Sequence, residues 1–304
     1  MGVGVVFPGQ GSQTAGMGEA WREHAAWQVV EQAEKVLDRP LSRLLLDRGP
    51  EIHAATADAQ LAVLLTSLVA WEAVRSALPA PLAVAGHSLG QVTALVAAGA
   101  LAFDDGVRLA AERAAVTQRA ADAHPGRMAA LVGADLEQAE AACAATPGRC
   151  WVANDNAPGQ VVVAGMPDGV DAAAAEATAA GVRKVLPLAV TGAFHTPLMA
   201  EAAAELGVFL DATDFAPGDV PVVSNGDAQP RTGGDHWRVA LAAHLVERVR
   251  WRESQRALVD MGVDVLVEVG PGRTLAGMAR RTVPEVAVAS VSTPADLEAL
   301  DALP

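Results

Sequence analysis

The chain has 304 residues, 51% of them hydrophobic, and 36 Asp and Glu against 22 Lys and Arg give a net charge of −14. That length suits one large domain or a large domain with a smaller one attached, and the apolar content allows a sizeable core. The acidity argues against general nucleic-acid binding, which needs a basic face. No uninterrupted apolar run approaches the roughly 20 residues that span a bilayer, so no membrane association is expected. Met1-Gly2-Val3-Gly4 lacks the basic and apolar regions of a signal peptide, and cytoplasm is the expected compartment. Cys143 and Cys150 form no CxxC and read as buried free thiols. With no His-rich cluster beside them, no metal site is expected.

Residues 3–7 form a short apolar run ending at Pro8-Gly9, the pattern of a buried strand. A Gly/Gln/Ser segment follows over 9–18, then a helix over 21–37. Leu61, Leu64, Leu68, Trp71 and Val74 recur at helical spacing over 60–78, and Pro79 and Pro81 stop that helix. Residues 82–86 are a second strand, and 91–98 return to helical character. Ser88 thus sits on a turn between strand and helix.

The middle of the chain predicts a strand over 128–133 and a helix over 135–145 with Asp135 as N-cap. Two strands follow, over 151–154 and 160–164, separated by the turn-rich Asn156-Ala157-Pro158-Gly159. A helix over 168–180 and a strand over 182–188 complete the order β-α-β-β-α-β, that of a ferredoxin-like unit. Residues 126–190 are therefore expected to be a small inserted domain, with 1–125 and 191–304 as the main body. The rest alternates again: a helix after Pro197, a strand over 220–224, a helix over 236–258, a strand over 263–269 and a helix from Pro271-Gly272 to Arg281. Such alternation implies a mostly parallel sheet covered on both faces.

Gly86-His87-Ser88-Leu89-Gly90 fits G-x-S-x-G, in which small residues let a serine occupy a tight strand-to-helix turn. The Leu89 N–H and the positive end of the following helix would favour a developing oxyanion. A serine at neutral pH needs a base. His87 adjoins it but is expected to point away around the elbow. His24, His53, His236 and His244 lie in polar or helical contexts and read as solvated or structural. His195 follows a predicted strand and precedes Pro197, on a strand-end loop where open α/β sheets build sites. No acid presents itself as its orienting partner. In Phe7-Pro8-Gly9-Gln10-Gly11-Ser12-Gln13, no Gly-Lys-Ser/Thr follows to make a P-loop, and the third glycine of a dinucleotide fingerprint is missing. It reads either as an ordinary strand-end turn or as an oxyanion donor, the flanking glycines letting the Gln10 N–H approach a ligand.

These two motifs, together with Gly192-Ala193-Phe194-His195-Thr196-Pro197, resemble the malonyl-CoA:acyl carrier protein transacylase family, which includes the acyltransferase domains of polyketide synthases. The likeness runs in order to about residue 283, through Asn154-Asp155-Asn156-Ala157-Pro158-Gly159-Gln160 and Glu268-Val269-Gly270-Pro271-Gly272. The resemblance implies an α/β fold: an α/β-hydrolase-like core with a mostly parallel sheet and an inserted ferredoxin-like domain. It implies a Ser88–His195 dyad and an oxyanion hole from the N–H groups of Gln10 and Leu89. It further implies that the backbone carbonyl of Arg250 orients the histidine, and that Arg113 grips the substrate carboxylate, with Phe194 and Asn154 at the substrate. Gln91 stands where relatives often carry Glu, and Leu61 follows Gln60 where many have Pro.

The reaction implied is transfer of malonyl from coenzyme A to the phosphopantetheine thiol of an acyl carrier protein, for fatty acid or polyketide synthesis, with malonyl-CoA as substrate and no cofactor. Phe194 in place of the serine common in methylmalonyl users, and Leu89 in place of their glutamine, favour malonyl. Arg183, Lys184, Arg280 and Arg281 are candidates for a local basic patch facing an acidic carrier protein. A thioesterase-like editor of carrier-bound acyl groups is the rival enzyme, against which a carboxylate clamp argues. An inactive docking subunit is the rival from another class, against which Ser88, His195 and Gln10 argue.

Overall fold

In β1 (Val3–Phe7) the side chains of Val3, Val5 and Phe7 enter one apolar cluster and Val6 another. This is the two-residue period of a strand buried on both faces. The computed structural model describes residues 1–49 and 51–302. In chain order, β1 is followed by α1 (Gln28–Leu37), α2 (Ser42–Leu46), α3 (Thr56–Val74), β2 (Ala83–Gly86), α4 (Gly90–Ala97) and α5 (Phe103–Ala123). Next come β3 (Arg127–Val132), α6 (Leu136–Ala144), β4 (Cys150–Ala157), β5 (Gln160–Gly165), α7 (Pro167–Ala179) and β6 (Lys184–Pro187). The chain then runs through α8 (Ala200–Asp211), β7 (Val222–Val223), β8 (Pro230–Arg231), α9 (Asp235–Ala243), α10 (Trp251–Asp260), β9 (Val265–Val269), α11 (Thr274–Thr282) and β10 (Ala287–Val291).

The first sheet has the order β10-β9-β1-β2-β7-β8, parallel throughout except for the β7–β8 pair. One face carries Val5, Phe7, Val84, Val265 and Val267 against α1, α3, α4 and α5. The other packs Val6, Ala85 and Leu266 against Trp251, Leu258, Leu275 and Met278 of α10 and α11. By length and composition α3 is apolar enough to cross a membrane, yet its Leu61, Leu64, Leu65 and Leu68 are buried within the first cluster. It is the central core helix of this face.

The second sheet is antiparallel, in the order β4-β5-β3-β6. Its elements follow the β-α-β-β-α-β order read from the sequence. One face holds Leu131, Val161 and Val163 against α6 and α7. Met128, Ala130 and Val162 lie on the opposite face, with Phe194 and Val190 packed beside them. Asp135 caps α6 through a reciprocal capping box with Gln138. The thiols of Cys143 and Cys150 are free and buried, 3.8 Å apart.

Several elements depart from expectation. The helix read over 21–37 begins only at Gln28, because the His24 side chain accepts the N–H of Ala26 and sets a separate 3-10 turn. The turn expected at 156–159 is narrower, since β4 continues to Ala157 through register shifts. The long α5 and the edge strand β10 lie where no element was expected. The single helix read over 236–258 is two helices, and residues 244–250 between them leave the helical path. Val249 pairs there with β4, donating its N–H to Ala153 O at 2.8 Å and accepting from Asp155 N at 2.9 Å.

Candidate active site

The C-terminal ends of β1 and β2 meet at one cavity of about 400 Å³, the position at which parallel sheets place their sites. Gln10, Gln60, His87, Ser88, Arg113, Asn154, Phe194 and His195 all line it. The second sheet contributes Met128, Ala130 and Val162, so the cavity has one polar wall and one apolar wall.

Ser88 has φ +53°, the left-handed region that a non-glycine residue enters only under constraint. The constraint is local crowding. A Cβ on Gly86 would collide with the carbonyl of Gly90, and one on Gly90 with the carbonyl of Phe7. The turn is thus sealed from both sides, and the β1 loop lies directly against it. A Cβ on Gly9 would strike the His87 carbonyl, so the backbone beside Gln10 approaches the elbow as closely as glycine permits. Among the described residues, neither the Gln10 nor the Leu89 N–H finds a protein acceptor, while both loops border the cavity.

His195 also has positive φ, +61°. Its Nε2 lies 2.8 Å from Ser88 Oγ. Its Nδ1 donates to the carbonyl of His244 at 2.7 Å, with a longer contact of 3.2 Å to that of Glu247, and its backbone N–H donates to Leu245 O at 3.1 Å. The break between α9 and α10 frees these carbonyls. Arg250 is therefore not the orienting residue: it caps α10, and its carbonyl accepts from Ser254 N at 2.9 Å and Ser254 Oγ at 3.0 Å. The orienting carbonyls lie in the 244–250 turn, inside the stretch expected as one helix over 236–258.

Burial, then the nearby Arg113 charge, lowers the His195 pKa to about 3, so the imidazole is neutral and able to accept a proton at ordinary pH. Arg113 projects from α5 and is 9% exposed. Its Nη1 donates to Gln60 Oε1, and its Nη2 donates to Ser88 Oγ at 3.0 Å. Gln60 is held in turn by Thr117 Oγ1 at 2.9 Å. Burial lowers the Arg113 pKa to about 10, which leaves it charged at neutral pH. Among the described residues no carboxylate pairs with it. A buried guanidinium without an anion is costly, and its presence points to an anionic ligand.

Asn154 is 5% exposed and lines the cavity from β4. Phe194 forms part of the apolar wall. The Leu89 side chain packs in the core beneath the sheet and does not border the cavity, so the steric case against a branched substrate rests on Phe194 alone. His87 does not leave the site: it lines the cavity and meets Asn156 Oδ1 at 2.8 Å through Nε2. Arg183, Lys184, Arg280 and Arg281 are all exposed, and Arg281 donates to Gln160 at the cavity edge.

Sequence reasoning missed Asn225. Its Oδ1 accepts the Ser88 N–H at 2.7 Å, its Nδ2 donates to Gly86 O at 2.7 Å, and its own N–H donates to Gln91 Oε1 at 3.0 Å. It also missed what Glu268 does, whose carboxylate accepts the N–H groups of Leu275 (3.1 Å) and Ala276 (2.7 Å) and caps α11.

A serine on a strained elbow, a neutral histidine at its oxygen and a buried cation beside both define a site built for acyl chemistry. Residues 5–296 match the family model described as the acyl transferase domain, and the chain belongs to that family. It is 37% identical over 301 residues to the malonyl CoA-acyl carrier protein transacylase of Bacillus subtilis, covering 97% of this chain and 95% of that protein. It is 38% identical over 303 residues to the protein of that name from Escherichia coli K12, covering 97% of each. Among solved structures, the acyl-carrier-protein S-malonyltransferase of Burkholderia pseudomallei superposes with a TM-score of 0.95 at 35% identity, covering 100% of both chains. A malonyl-transacylase solved with its type II polyketide acyl carrier protein superposes with a TM-score of 0.94 at 36% identity, again covering 100% of both.

Proposed function

We propose that this chain transfers malonyl from coenzyme A to the phosphopantetheine thiol of an acyl carrier protein by a ping-pong mechanism. The observation that carries this reading is Arg113: a buried, charged guanidinium bonded to the oxygen of Ser88 and lacking a carboxylate partner among the described residues. A planar fork in that position fits a carboxylate bidentately and sets it one short acyl chain from the serine.

In this mechanism the malonyl carboxylate takes the Arg113 donors, and the thioester carbonyl faces Ser88. His195 Nε2 accepts the serine proton as Oγ attacks. The imidazolium then formed keeps its Nδ1 proton on the His244 carbonyl, which stabilises the charge without a carboxylate. The N–H groups of Gln10 and Leu89 receive the oxyanion; one such donor is worth about 2.7–4 kcal/mol of barrier. His195 returns its proton to the departing CoA sulfur. The carrier thiol enters by the same route in reverse: His195 takes its proton as sulfur attacks the ester carbonyl, and returns it to Ser88 Oγ as the ester C–O bond breaks. Asn154 and Phe194 border the acyl group, and the exposed Arg183, Lys184, Arg280 and Arg281 are offered as contacts for an acidic carrier.

The same reading divides the chain into a hydrolase-like core over 1–125 and 191–304 and an inserted ferredoxin-like unit over 126–190. The two separate sheets and the single excursion of the chain support it. Incubation with malonyl-CoA should place one malonyl group on Ser88, detected by intact mass and peptide mapping. The acyl-enzyme should persist in buffer and discharge on adding a carrier protein bearing phosphopantetheine. Discharge to water at the same rate would replace this reading with the hydrolase. Carrier proteins from fatty acid and polyketide systems, compared side by side, identify the acceptor.

A further inference from the structure

The Ser224-Asn225-Gly226 turn at the end of β7 touches Ser88 directly and reaches His195 through His244. Val222 and Val223 pair with Val84 and Ala85 of β2, so the turn emerges beside the elbow. Asn225 is 2% exposed, and its amide spans the elbow, accepting from Ser88 N and donating to Gly86 O. Its orientation is fixed, because only its oxygen can accept an N–H and only its nitrogen can donate to a carbonyl. On the other flank, His244 Nε2 meets Ser224 Oγ at 3.2 Å and the Gly226 N–H at 3.3 Å. Both neighbours can donate to it, which suits the neutral His244 ring that burial favours. The carbonyl of that same residue takes the Nδ1 proton of His195. The Arg250 N–H ties Asn225 O at 2.9 Å to the far end of the 244–250 turn.

Resting on the dyad proposed above, we infer that this turn is a positioning element for it. Asn225 holds Ser88 in its left-handed conformation and thereby aims the Leu89 N–H. Ser224 and Gly226 hold His244 and thereby aim His195. One short segment sets the separation of nucleophile and base. Gln91 holds the segment itself, through the Asn225 N–H. Gly226 lies close against the base-holding turn: a Cβ there would come within 3.3 Å of the His244 ring and 2.7 Å of the flexible end of Glu247.

The test compares Asn225→Ala, Asn225→Asp, Ser224→Ala and Ser224→Thr with the unaltered protein and with Ser88→Ala. The readouts are carrier malonylation, labelling of Ser88 by a fluorophosphonate, and malonyl-CoA affinity in the Ser88→Ala background. Asn225→Ala should lower kcat about 10²-fold, the scale of a displaced reacting group. It should slow fluorophosphonate labelling in parallel and leave malonyl-CoA affinity within about threefold, since Arg113 is untouched. Asn225→Asp keeps the acceptor for Ser88 but sets a carboxylate oxygen against the Gly86 carbonyl. Only its protonated form can donate there, so its activity relative to the unaltered protein should rise as pH falls, a signature that lost stability does not produce. Ser224→Ala should cost about fivefold, one hydrogen bond's worth, and Ser224→Thr should restore it. A folded Asn225→Ala retaining kcat within threefold, or a loss confined to malonyl-CoA affinity, overturns the inference. If Asn225→Ala does not fold, a flat pH ratio in Asn225→Asp overturns it. Malonyl transfer surviving in Ser88→Ala instead refutes the dyad on which the inference rests.

Discussion

Arg113 Nη2 donates to Ser88 Oγ at 3.0 Å, so the cation and the nucleophile share a hydrogen bond. A lone pair held by a guanidinium is a poorer nucleophile. A carboxylate that draws the guanidinium to itself both docks the substrate and releases the serine. Arg113→Ala loses the carboxylate bonds but also frees the serine, so malonyl transfer should fall by somewhat less than the lost binding, about 10²-fold in kcat/KM, given about 1.5–3 kcal/mol for each charge-assisted bond. The rate with acetyl-CoA should fall far less or rise. Intact-mass kinetics of Ser88 acylation with the two thioesters measures the ratio; equal losses on both would remove Arg113 from carboxylate recognition.

His195 supplies the pH dependence. Its pKa is lowered to about 3 by burial and then by the Arg113 charge. A base must be unprotonated to act, so the acid limb of kcat/KM should lie well below the 6.5 of a free histidine. Removing a positive neighbour makes the imidazolium easier to form. Arg113→Gln should therefore move the limb upward, measured as the pH profile of Ser88 acylation by acetyl-CoA, which does not need the clamp.

Much of the site was legible because its residues are constrained by their immediate neighbours. Ser88 needs glycine on both sides for steric reasons, so G-x-S-x-G displays the elbow in the sequence. His195 was found as a strand-end histidine. What orients it was not legible, because the acceptors are backbone carbonyls, which any residue supplies. They became available only where a helix that looks continuous over 236–258 breaks so that Val249 can pair with β4. Asn225 escaped for a related reason: a Ser-Asn-Gly turn looks alike whether it faces solvent or props an elbow 137 residues away in sequence. The α5 helix that carries Arg113 was not read as an element at all, though its long alternation of charged and small residues forms a well-buried face in the fold.

Phe194 lines the apolar wall of the cavity and Leu89, facing the core, does not, so in the proposed reaction a branched acyl group presses against Phe194. Phe194→Ser should therefore raise methylmalonyl transfer relative to malonyl by about 10-fold, within the 1–3 kcal/mol that one methylene commands in a pocket. Changes at Leu89 should act through packing instead. Competition between the two thioesters for Ser88 settles it, and an unchanged ratio in Phe194→Ser would move the discriminating wall elsewhere.

Gly90→Ala tests the contact between the elbow and the β1 loop. Its Cβ would collide with the Phe7 carbonyl and reach 2.8 Å from that of Pro8. Both belong to backbone that cannot swing aside, so the loop carrying Gln10 must retreat from Ser88. The protein should lose about 1–3 kcal/mol of stability. Transfer should fall by about 10²–10³-fold, as for a displaced oxyanion donor. Urea titration and acylation kinetics on the same preparation separate the two effects.

Buried neutral histidines make the fold acid-sensitive. Burial lowers His195 and His244 to about 3 each, and lowers His87 as well. A group with a depressed folded pKa binds its proton more readily when unfolded, so its stabilising effect is complete above the unfolded value near 6.5 and is lost as pH falls toward 3. Each can contribute a slope of up to about 1.4 kcal/mol per pH unit within that window. Glu268 and Asp155 work the other way, because burial raises their pKa and the folded state takes their protons first, but only in the carboxylate range. Glu34, Asp227 and Asp296, held below their ordinary values, add to the loss in that same range, so the histidine contribution is read alone between pH 6.5 and 5, above the carboxylates. His244→Gln keeps a side chain that can hydrogen-bond Ser224 without titrating in this range. Its urea midpoint should fall less steeply over that interval than that of the unaltered protein. An identical slope in the two proteins would mean that His244 does not supply the acid sensitivity.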